Sequence, residues 1–130
     1  MKDHVSIWIG NFTSEEELVE YTTNKYTNDG DSIPSIFEKD FSLSYYDRDG
    51  VEKGWASEHA NSIKELLGGF SYSDQFLGQI DNMGCSEKFN CAILIYNMKY
   101  DVETTKGQYK NNEMRFYDVA VYEDSPDDRW

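Results

Sequence analysis

The sequence is poor in the residues on which most catalytic and metal-binding sites are built. It holds two histidines, His4 and His59, and two cysteines, Cys85 and Cys91, among 130 residues. The histidines do not form an HExxH pair, the cysteines do not form a CxxC pair, and no GxSxG, Walker or GxGxxG motif is present. We therefore predict that the chain is not an enzyme and has no catalytic residues, no cofactor and no metal.

Two acidic turns resemble calcium-binding loops but lack the ligand spacing. An EF-hand loop has glycine at position 6 and oxygen ligands at positions 1, 3, 5 and 12. With Gly50 at position 6, only Asp47 and Asp49 fall on ligand positions, and with Gly30 at position 6 the first position is Lys25. Aspartate and glycine also satisfy the geometry of ordinary turns, which is the interpretation we prefer.

Basic residues and long apolar runs are also scarce. The chain has 12 Lys and Arg against 25 Asp and Glu, which gives a formal net charge of -13 and a pI near 4.4. It has no run of 18 apolar residues and no N-terminal stretch typical of a signal peptide. We predict a cytoplasmic protein with reduced thiols that avoids nucleic acid and membranes and attracts basic proteins. Simple solubility is the alternative explanation of the charge.

Large apolar residues are plentiful enough for one compact domain. Apolar residues make up 38% of the chain and aromatic residues 15%, with two prolines. A chain of this length buries roughly two-thirds of its extended surface, so its core needs no disulfide or metal. We predict a single domain over residues 1–130, with an acidic C-terminal tail at residues 123–130.

Three segments have the composition of strands. Residues 4–12 alternate between apolar and polar side chains, residues 90–96 form a continuous apolar run typical of an inner strand, and residues 114–122 form the last strand. Residues 43–46 and 51–55 flank an Asp-Arg-Asp-Gly turn, and we predict that they form a hairpin.

Four segments have the signals of helices. The first begins after Ser14, a favourable N-cap residue, and Glu17 completes a capping box. The second begins near Pro34, and the others span residues 57–67 and 73–83. Together these elements predict the α+β class: a single small domain with a mixed sheet of three to five strands and three or four helices packed on it.

The sequence leaves two possible environments for Trp8. We expect helices to cover the face of Val5, which leaves Trp8 on the opposite face, and we assign Tyr96, Phe116 and Tyr122 to that face as well. A second helix layer that buries Trp8 is the preferred expectation. An open aromatic surface is the alternative.

The first strand also resembles the first strand of an RNA-recognition motif, in which an aromatic residue at the position of Trp8 would stack on a base. The signature of the partner strand, which contains a basic residue, glycine and several aromatic residues, does not occur in the sequence. The predicted face also carries no Lys or Arg to neutralise phosphates. A nucleic-acid-binding module is therefore the weakest alternative.

Several short motifs, spread over most of the chain, carry a resemblance to a known family. They are Val5-Ser6-Ile7-Trp8-Ile9-Gly10-Asn11-Phe12 with Ser14-Glu15-Glu16-Glu17-Leu18, Lys39-Asp40-Phe41 with Tyr45-Tyr46-Asp47, Phe70-Ser71-Tyr72-Ser73 with Phe76, and residues 90–97. Together they resemble immunity protein 22, a family of bacterial polymorphic toxin systems. The resemblance implies an α+β domain that is produced with a secreted or contact-delivered toxin and neutralises it by binding. It supplies no catalytic or contact residues.

The resemblance also implies the partner. Toxins of such systems are often basic nucleases, so we expect a cognate, basic, nuclease-like toxin whose cationic groove an acidic inhibitor would occupy. A generic acidic protein-interaction or regulatory domain is the second interpretation.

Acidic loops with neighbouring aromatic residues are the predicted contact surface for the toxin. Carboxylates would pair with Lys or Arg of the toxin, and Tyr and Trp would supply desolvated anchors. The candidate residues are Asp29, Asp31, Tyr45, Tyr46, Asp47, Asp49, Glu52, Trp55 and Trp8. In the alternative interpretation, Tyr45 and Trp55 form a cross-strand pair and the aspartates only satisfy a turn.

Overall fold

A computed structural model describes residues 2–43, 46, 48–80, 89–101 and 104–123. Within them lie seven strands: β1 (Lys2–Asn11), β2 (Lys25–Tyr26), β3 (Ser32–Ile33), β4 (Val51–Trp55), β5 (Cys91–Tyr96), β6 (Lys106–Tyr109) and β7 (Asn112–Glu123). The same residues include four α-helices: α1 (Glu15–Thr22), α2 (Ile36–Asp40), α3 (Ile63–Leu67) and α4 (Ser73–Phe76). Short 3₁₀ helices span Arg48–Gly50 and Leu77–Gln79.

A five-stranded sheet forms the centre of the fold. Its strand order is β4-β5-β1-β7-β6, and all four of its ladders are antiparallel. Strands β2 and β3 form a separate two-stranded ribbon. The α+β class, the number of strands in the main sheet and the helices agree with the prediction, although the described sheet is antiparallel rather than mixed. The apolar strand β5 is an inner strand, as predicted, and β1 is the central one.

The caps of the first two helices account for where they begin. The Ser14 side chain accepts a hydrogen bond from the Glu17 N–H at 3.1 Å, as an N-cap residue should. Glu17 does not close the predicted capping box, because its carboxylate accepts from the Thr13 hydroxyl and, at 3.1 Å, from the Asn112 amide. A full capping box occurs at α2 instead, between Ser35 and Glu38.

The predicted hairpin around residues 43–55 is wrong for its described part. Leu43 and Tyr46 are not in a strand, and β4 pairs with β5, from Val51 opposite Ile95 to Trp55 opposite Cys91. An apolar strand such as β5 needs a neighbour on both sides, and β4 supplies the second one. Tyr45 and Asp47 lie outside the described residues.

The last two helices are shorter than predicted. The segment before α3 is held in a non-helical conformation, because the Ala56 N–H donates to the Asn90 carbonyl at 2.9 Å and the Ala60 N–H donates to the Phe89 carbonyl at 2.8 Å. Helix α3 therefore begins only after Ser62, whose side chain accepts from the Glu65 N–H at 3.2 Å. The predicted helix over residues 73–83 is α4 followed by a 3₁₀ turn; its end, Cys85 and residues 124–130 lie outside the described residues.

The central strand is buried on both faces. Val5, Ile7 and Ile9 pack in one apolar cluster with residues of α3 and α4, which we call the first core. Trp8 and Phe12 pack in a second core with residues of α1 and α2. The side chain of Trp8 has no exposed surface, so the preferred expectation of a second helix layer is confirmed.

Trp8 lies at the centre of an aromatic cluster. Its ring centroid is 5.2–5.8 Å from those of Phe37, Phe41, Tyr100 and Phe116. The indole N–H has no hydrogen-bond partner among the described residues. Because the ring is enclosed, it can neither stack on a nucleic-acid base nor contact a partner, so Trp8 does not fit the predicted contact set.

A bulge in β7 changes which aromatic residues share a face. Trp8 pairs with Phe116 but its neighbour Ile7 pairs with Asp118, which leaves Tyr117 as an extra residue. Phe116 therefore lies beside the second core, as expected. After the bulge the alternation is inverted, so Tyr122 lies in the first core.

Tyr96 also lies in the first core, because it pairs with Val5 on that side of the sheet. The assignment of Tyr96 and Tyr122 to the face of Trp8 is therefore wrong.

Truncation of Trp8 should destabilise the protein strongly. We expect Trp8→Ala to lower the free energy of unfolding by about 3–5 kcal/mol, the range for a buried aromatic side chain. Urea unfolding of the variant measures the loss. Tyr26→Ala is the matched control, because the Tyr26 side chain is 65% exposed, and it should change stability little. Equal stabilities of the two variants would contradict the burial of Trp8.

Candidate functional site

Strand β4 lies at one edge of the main sheet. Backbone groups of an antiparallel strand point alternately towards and away from its neighbour. The ladder continues to Ala56, whose N–H donates to Asn90, so Glu52 and Gly54 direct their backbone groups towards β5. The backbone groups of Val51, Lys53 and Trp55 therefore point away from β5. Those of Lys53 and Trp55 have no backbone hydrogen-bond partner in the described part of the chain, whereas the Val51 N–H closes the 3₁₀ turn Arg48–Gly50.

Clefts lined by described residues flank this edge strand on both faces of the sheet. On the side of the first core, a cleft of about 500 Å³ lies between Glu52, Gly54 and the residues Leu66 and Phe70. A second cleft of about 360 Å³ shares Gly54, Leu66 and Phe70 and extends to Trp55. The two clefts thus form one continuous groove along β4.

The third cleft lies on the side of the second core. Its volume is about 190 Å³, and it is lined by Tyr46, Val51 and Lys53 together with Phe37 and Ile93. Both sides of β4 are therefore accessible beside its free backbone edge.

The groove on the first-core side is acidic. Its lining includes the carboxylates of Glu52, Glu58 and Glu65 and the imidazole of His59. Glu58 and Glu65 are exposed, and Asp49, also exposed, precedes β4 in the 3₁₀ turn. Exposed carboxylates beside apolar Leu66 and Phe70 form a surface suited to a cationic partner.

Glu52 organises one wall of the groove. Its carboxylate accepts hydrogen bonds from the Ser71 N–H at 2.9 Å and the Ser71 hydroxyl at 2.7 Å, and it lies 2.8 Å from the Tyr96 hydroxyl. Burial raises the pKa of Glu52, but the hydrogen bonds from Ser71 and Tyr96 outweigh this effect and hold the pKa below its usual value. These bonds fix the segment after α3, which carries Phe70, against Gly54; a Cβ on Gly54 would lie 3.2 Å from the Phe70 ring.

The aromatic residues beside β4 are also held in place. The Trp55 indole N–H donates to the Phe12 carbonyl at 2.9 Å, so the ring is fixed against the second core at the end of β4. The Tyr46 hydroxyl donates to the buried carboxylate of Glu38 at 2.5 Å. Neither residue therefore loses much side-chain entropy on contact with a partner, which suits an anchor.

The structure brings part of the predicted contact set together. Tyr46, Asp49, Glu52 and Trp55 lie on β4 or just before it. Asp29 and Asp31 lie apart from them, in the exposed turn of the β2–β3 ribbon, and the hydrogen bonds of residues 25–33 stay within that ribbon.

Sequence reasoning missed several residues of the groove. The sequence does not single out Glu58, Glu65, Leu66 or Phe70. A helix over residues 57–67 would place the two carboxylates on its solvated face. Their role depends on α3 packing beside an edge strand, for which the sequence carries no local signal.

One family model matches this chain, over residues 5–123, and its description is immunity protein 22. The chain belongs to the immunity protein 22 family. The resemblance seen in the sequence is thereby confirmed, and a toxin-neutralising role in general follows from it. No curated protein and no solved structure matches the chain.

The described residues of this family member give no sign of two other kinds of site. They include no helix that is both long and apolar enough to span a membrane. They also include no group of three or more His, Cys, Asp or Glu placed to hold a metal ion. Cys91 is buried, and burial raises the pKa of its thiol to about 12. This thiol is therefore not a reactive nucleophile.

Removing the charge of Glu52 should destabilise this immunity protein in a pH-dependent way. We expect Glu52→Gln to lose about 1–2 kcal/mol near neutral pH, because its neighbours donate to a charged acceptor. The pKa is depressed by folding, so the contribution is complete above the unfolded value of about 4.3 and is lost as the pH falls through the folded value. Urea unfolding of both proteins from pH 7 to pH 3 measures the difference.

The matched control for that experiment is Glu58→Gln, which removes an exposed carboxylate of the same groove. Its unfolding free energy should follow that of the wild type at each pH. A constant gap between wild type and Glu52→Gln over the whole pH range would contradict the role assigned to the carboxylate.

Proposed function

We propose that this chain binds and neutralises a cognate, basic, nuclease-like toxin in the cytoplasm of the cell that produces it. The acidic groove beside the free edge of β4 is the observation that carries this proposal. It combines exposed carboxylates, fixed aromatic rings and an unpaired backbone, and the family match supplies the kind of partner. The chain acts by binding, since no catalytic chemistry is needed to cover a cationic groove.

The distribution of ion pairs favours β4 over the opposite edge of the sheet. Near β6 and β7, the cations Lys106, Lys110 and Arg115 lie 2.6–3.6 Å from the carboxylates of Glu113, Glu17 and Glu20. That edge is therefore close to charge balance. Among the described residues, exposed Glu58 and Glu65 of the groove take part in no ion pair, so their charge is available to a basic partner.

Co-expression tests the function directly. The toxin domain encoded beside this chain's gene is expressed from an inducible promoter, with or without the chain, and viable cells are counted. We expect the toxin alone to arrest growth and the chain to restore it, with the two proteins eluting as one complex. Loss of viability in the presence of the chain would overturn the proposal. A generic acidic interaction domain would likewise give no protection.

Charge should act mainly on the rate of association. A strongly negative protein attracts a basic toxin over a distance, and salt screens this attraction. In stopped-flow mixing, we expect the association rate constant to fall about tenfold or more between low and physiological salt, with a smaller change in the dissociation rate. An association rate that is flat over this range would contradict the electrostatic part of the proposal.

Neutralising the carboxylates near the groove should weaken binding at constant fold. We choose Asp49→Asn, Glu58→Gln and Glu65→Gln and leave Glu52 unchanged because it holds the wall of the groove. We expect the triple variant to melt near the wild-type temperature and to bind the toxin at least about tenfold more weakly, through loss of local charge pairs.

The matched control removes three exposed carboxylates elsewhere: Glu15→Gln, Glu16→Gln and Glu123→Gln. Both triples change the net charge from -13 to -10, so they alter the overall field equally. The control should bind within a few-fold of wild type. Equal losses in the two triples would show that net charge matters and the groove does not.

A further inference from the structure

The two edges of the main sheet differ in how far their outward backbone groups are satisfied. An unpaired edge strand offers backbone donors and acceptors to any extended chain, and most proteins cover or shorten such edges. The main sheet has two edges. Strand β4 forms one edge, and β6 together with the second half of β7 forms the other.

The second half of β7 is closed by two glutamines that act like a neighbouring strand. Gln75 accepts from the Glu123 N–H at 2.6 Å and donates to the Glu123 carbonyl at 3.0 Å. Gln79 accepts from the Val121 N–H at 2.8 Å and donates to the Val121 carbonyl at 2.6 Å. Each side-chain amide thus satisfies both outward groups of one strand residue. The next outward N–H, that of Val119, is bonded to Asp118 at 2.7 Å.

Strand β6 is a poor template for a basic segment. It has four residues, and pairing of Gly107 with Met114 and of Tyr109 with Asn112 across a two-residue turn leaves only the backbone of Lys106 and Gln108 directed outwards. The cations Lys106 and Lys110 lie at this edge. Because these cations are paired with carboxylates, the edge is close to charge balance and attracts a cationic partner less than the acidic groove does.

Strand β4 has neither kind of protection. After Val51, whose N–H closes the 3₁₀ turn, its outward residues Lys53 and Trp55 have no backbone hydrogen-bond partner in the described ranges. Lys53, the kind of residue that often guards an edge, instead directs its Nζ atom to the Thr22 hydroxyl at 2.8 Å. Clefts flank the strand on both faces of the sheet.

We propose that the toxin binds by adding one of its own extended segments to β4, as a sixth strand of the sheet. This inference rests on the proposed function and specifies how the partner is held. Main-chain hydrogen bonds to Lys53 and Trp55 supply the affinity, and alternate side chains of the added strand enter the clefts.

The clefts define the chemistry of the added segment. Its side chains on the first-core face meet Glu58 and Glu65 beside Leu66 and Phe70, which fits Lys or Arg with long alkyl stems. Its side chains on the other face meet the cleft lined by Tyr46 and Phe37, which fits apolar residues. The expected occupant is a toxin segment that alternates between basic and apolar residues. A second copy of this chain is disfavoured, because each copy carries a charge of -13.

Amide hydrogen exchange tests the added strand without any substitution. In the free protein, the N–H groups of Lys53 and Trp55 should exchange faster than those of Glu52 and Gly54, which face β5. In the complex with the toxin domain encoded beside the gene, we expect these two outward amides to slow by about tenfold or more. A complex in which these amides exchange as in the free protein overturns the inference.

A proline at an outward position provides the second test. Proline removes a backbone N–H and is tolerated on an edge strand where that N–H faces solvent. We compare Lys53→Pro with Lys53→Ala, since both lose the lysine side chain and only the first loses the donor. We expect the proline variant to bind the toxin about tenfold or more weakly than the alanine variant, because a main-chain bond is lost and the ring blocks approach.

Trp55→Pro and Trp55→Ala repeat the comparison at the end of the strand, in case Lys53→Pro does not fold, since both lose the indole and only the first loses the donor. Equal binding of a folded proline variant and its alanine partner overturns the inference. Absence of toxin binding by the wild type itself would overturn the proposed function instead, so the two failures are distinguishable. Protection of the outward amides in the chain alone, with a sedimentation coefficient that rises with concentration, would assign the edge to a second copy and also overturn the inference.

Discussion

The rest of the structure depends on the burial of β1 on both of its faces. Ile7 and Trp8 are adjacent and point to opposite sides of the sheet, yet neither has exposed surface. Each face of the sheet must therefore be covered by its own helices, α3 and α4 on one side and α1 and α2 on the other. This packing covers both faces of the sheet, so a partner can reach the sheet itself only at its edges.

The sequence was sufficient to predict the class, the inner strand and the burial of Trp8, because these follow from local apolar patterns. The sequence did not allow us to predict which face of the sheet Tyr96 and Tyr122 occupy. All positions of β5 are buried, so alternation gives no information about which side Tyr96 faces. Tyr122 changes side because of the bulge at Tyr117, and a bulge is a property of the pairing between β7 and β1.

The candidate site was predicted in part, and for a different reason than the structure gives. Asp49, Glu52 and Trp55 were chosen as parts of a hairpin turn, whereas they lie beside an edge strand that pairs with the distant β5. Glu58 and Glu65 join them only because the non-helical segment before α3 brings helix and edge together. A pairing between segments so far apart in the chain carries no local signal, which is why the groove could not be predicted.

Because the acidic groove and the unpaired edge of β4 lie side by side, we expect binding to proceed in two steps. Charge acts over a distance and on encounter, and salt screens it. Main-chain hydrogen bonds act only after contact, and they chiefly determine how slowly the complex dissociates. A neutralising protein needs both properties, because the toxin must be captured before it reaches its target and then held. The side-chain amides of Gln75 and Gln79 satisfy the outward backbone groups at one edge of the sheet. The edge that lies beside the acidic groove is left open, and there a captured chain can pass directly from electrostatic contact into the sheet.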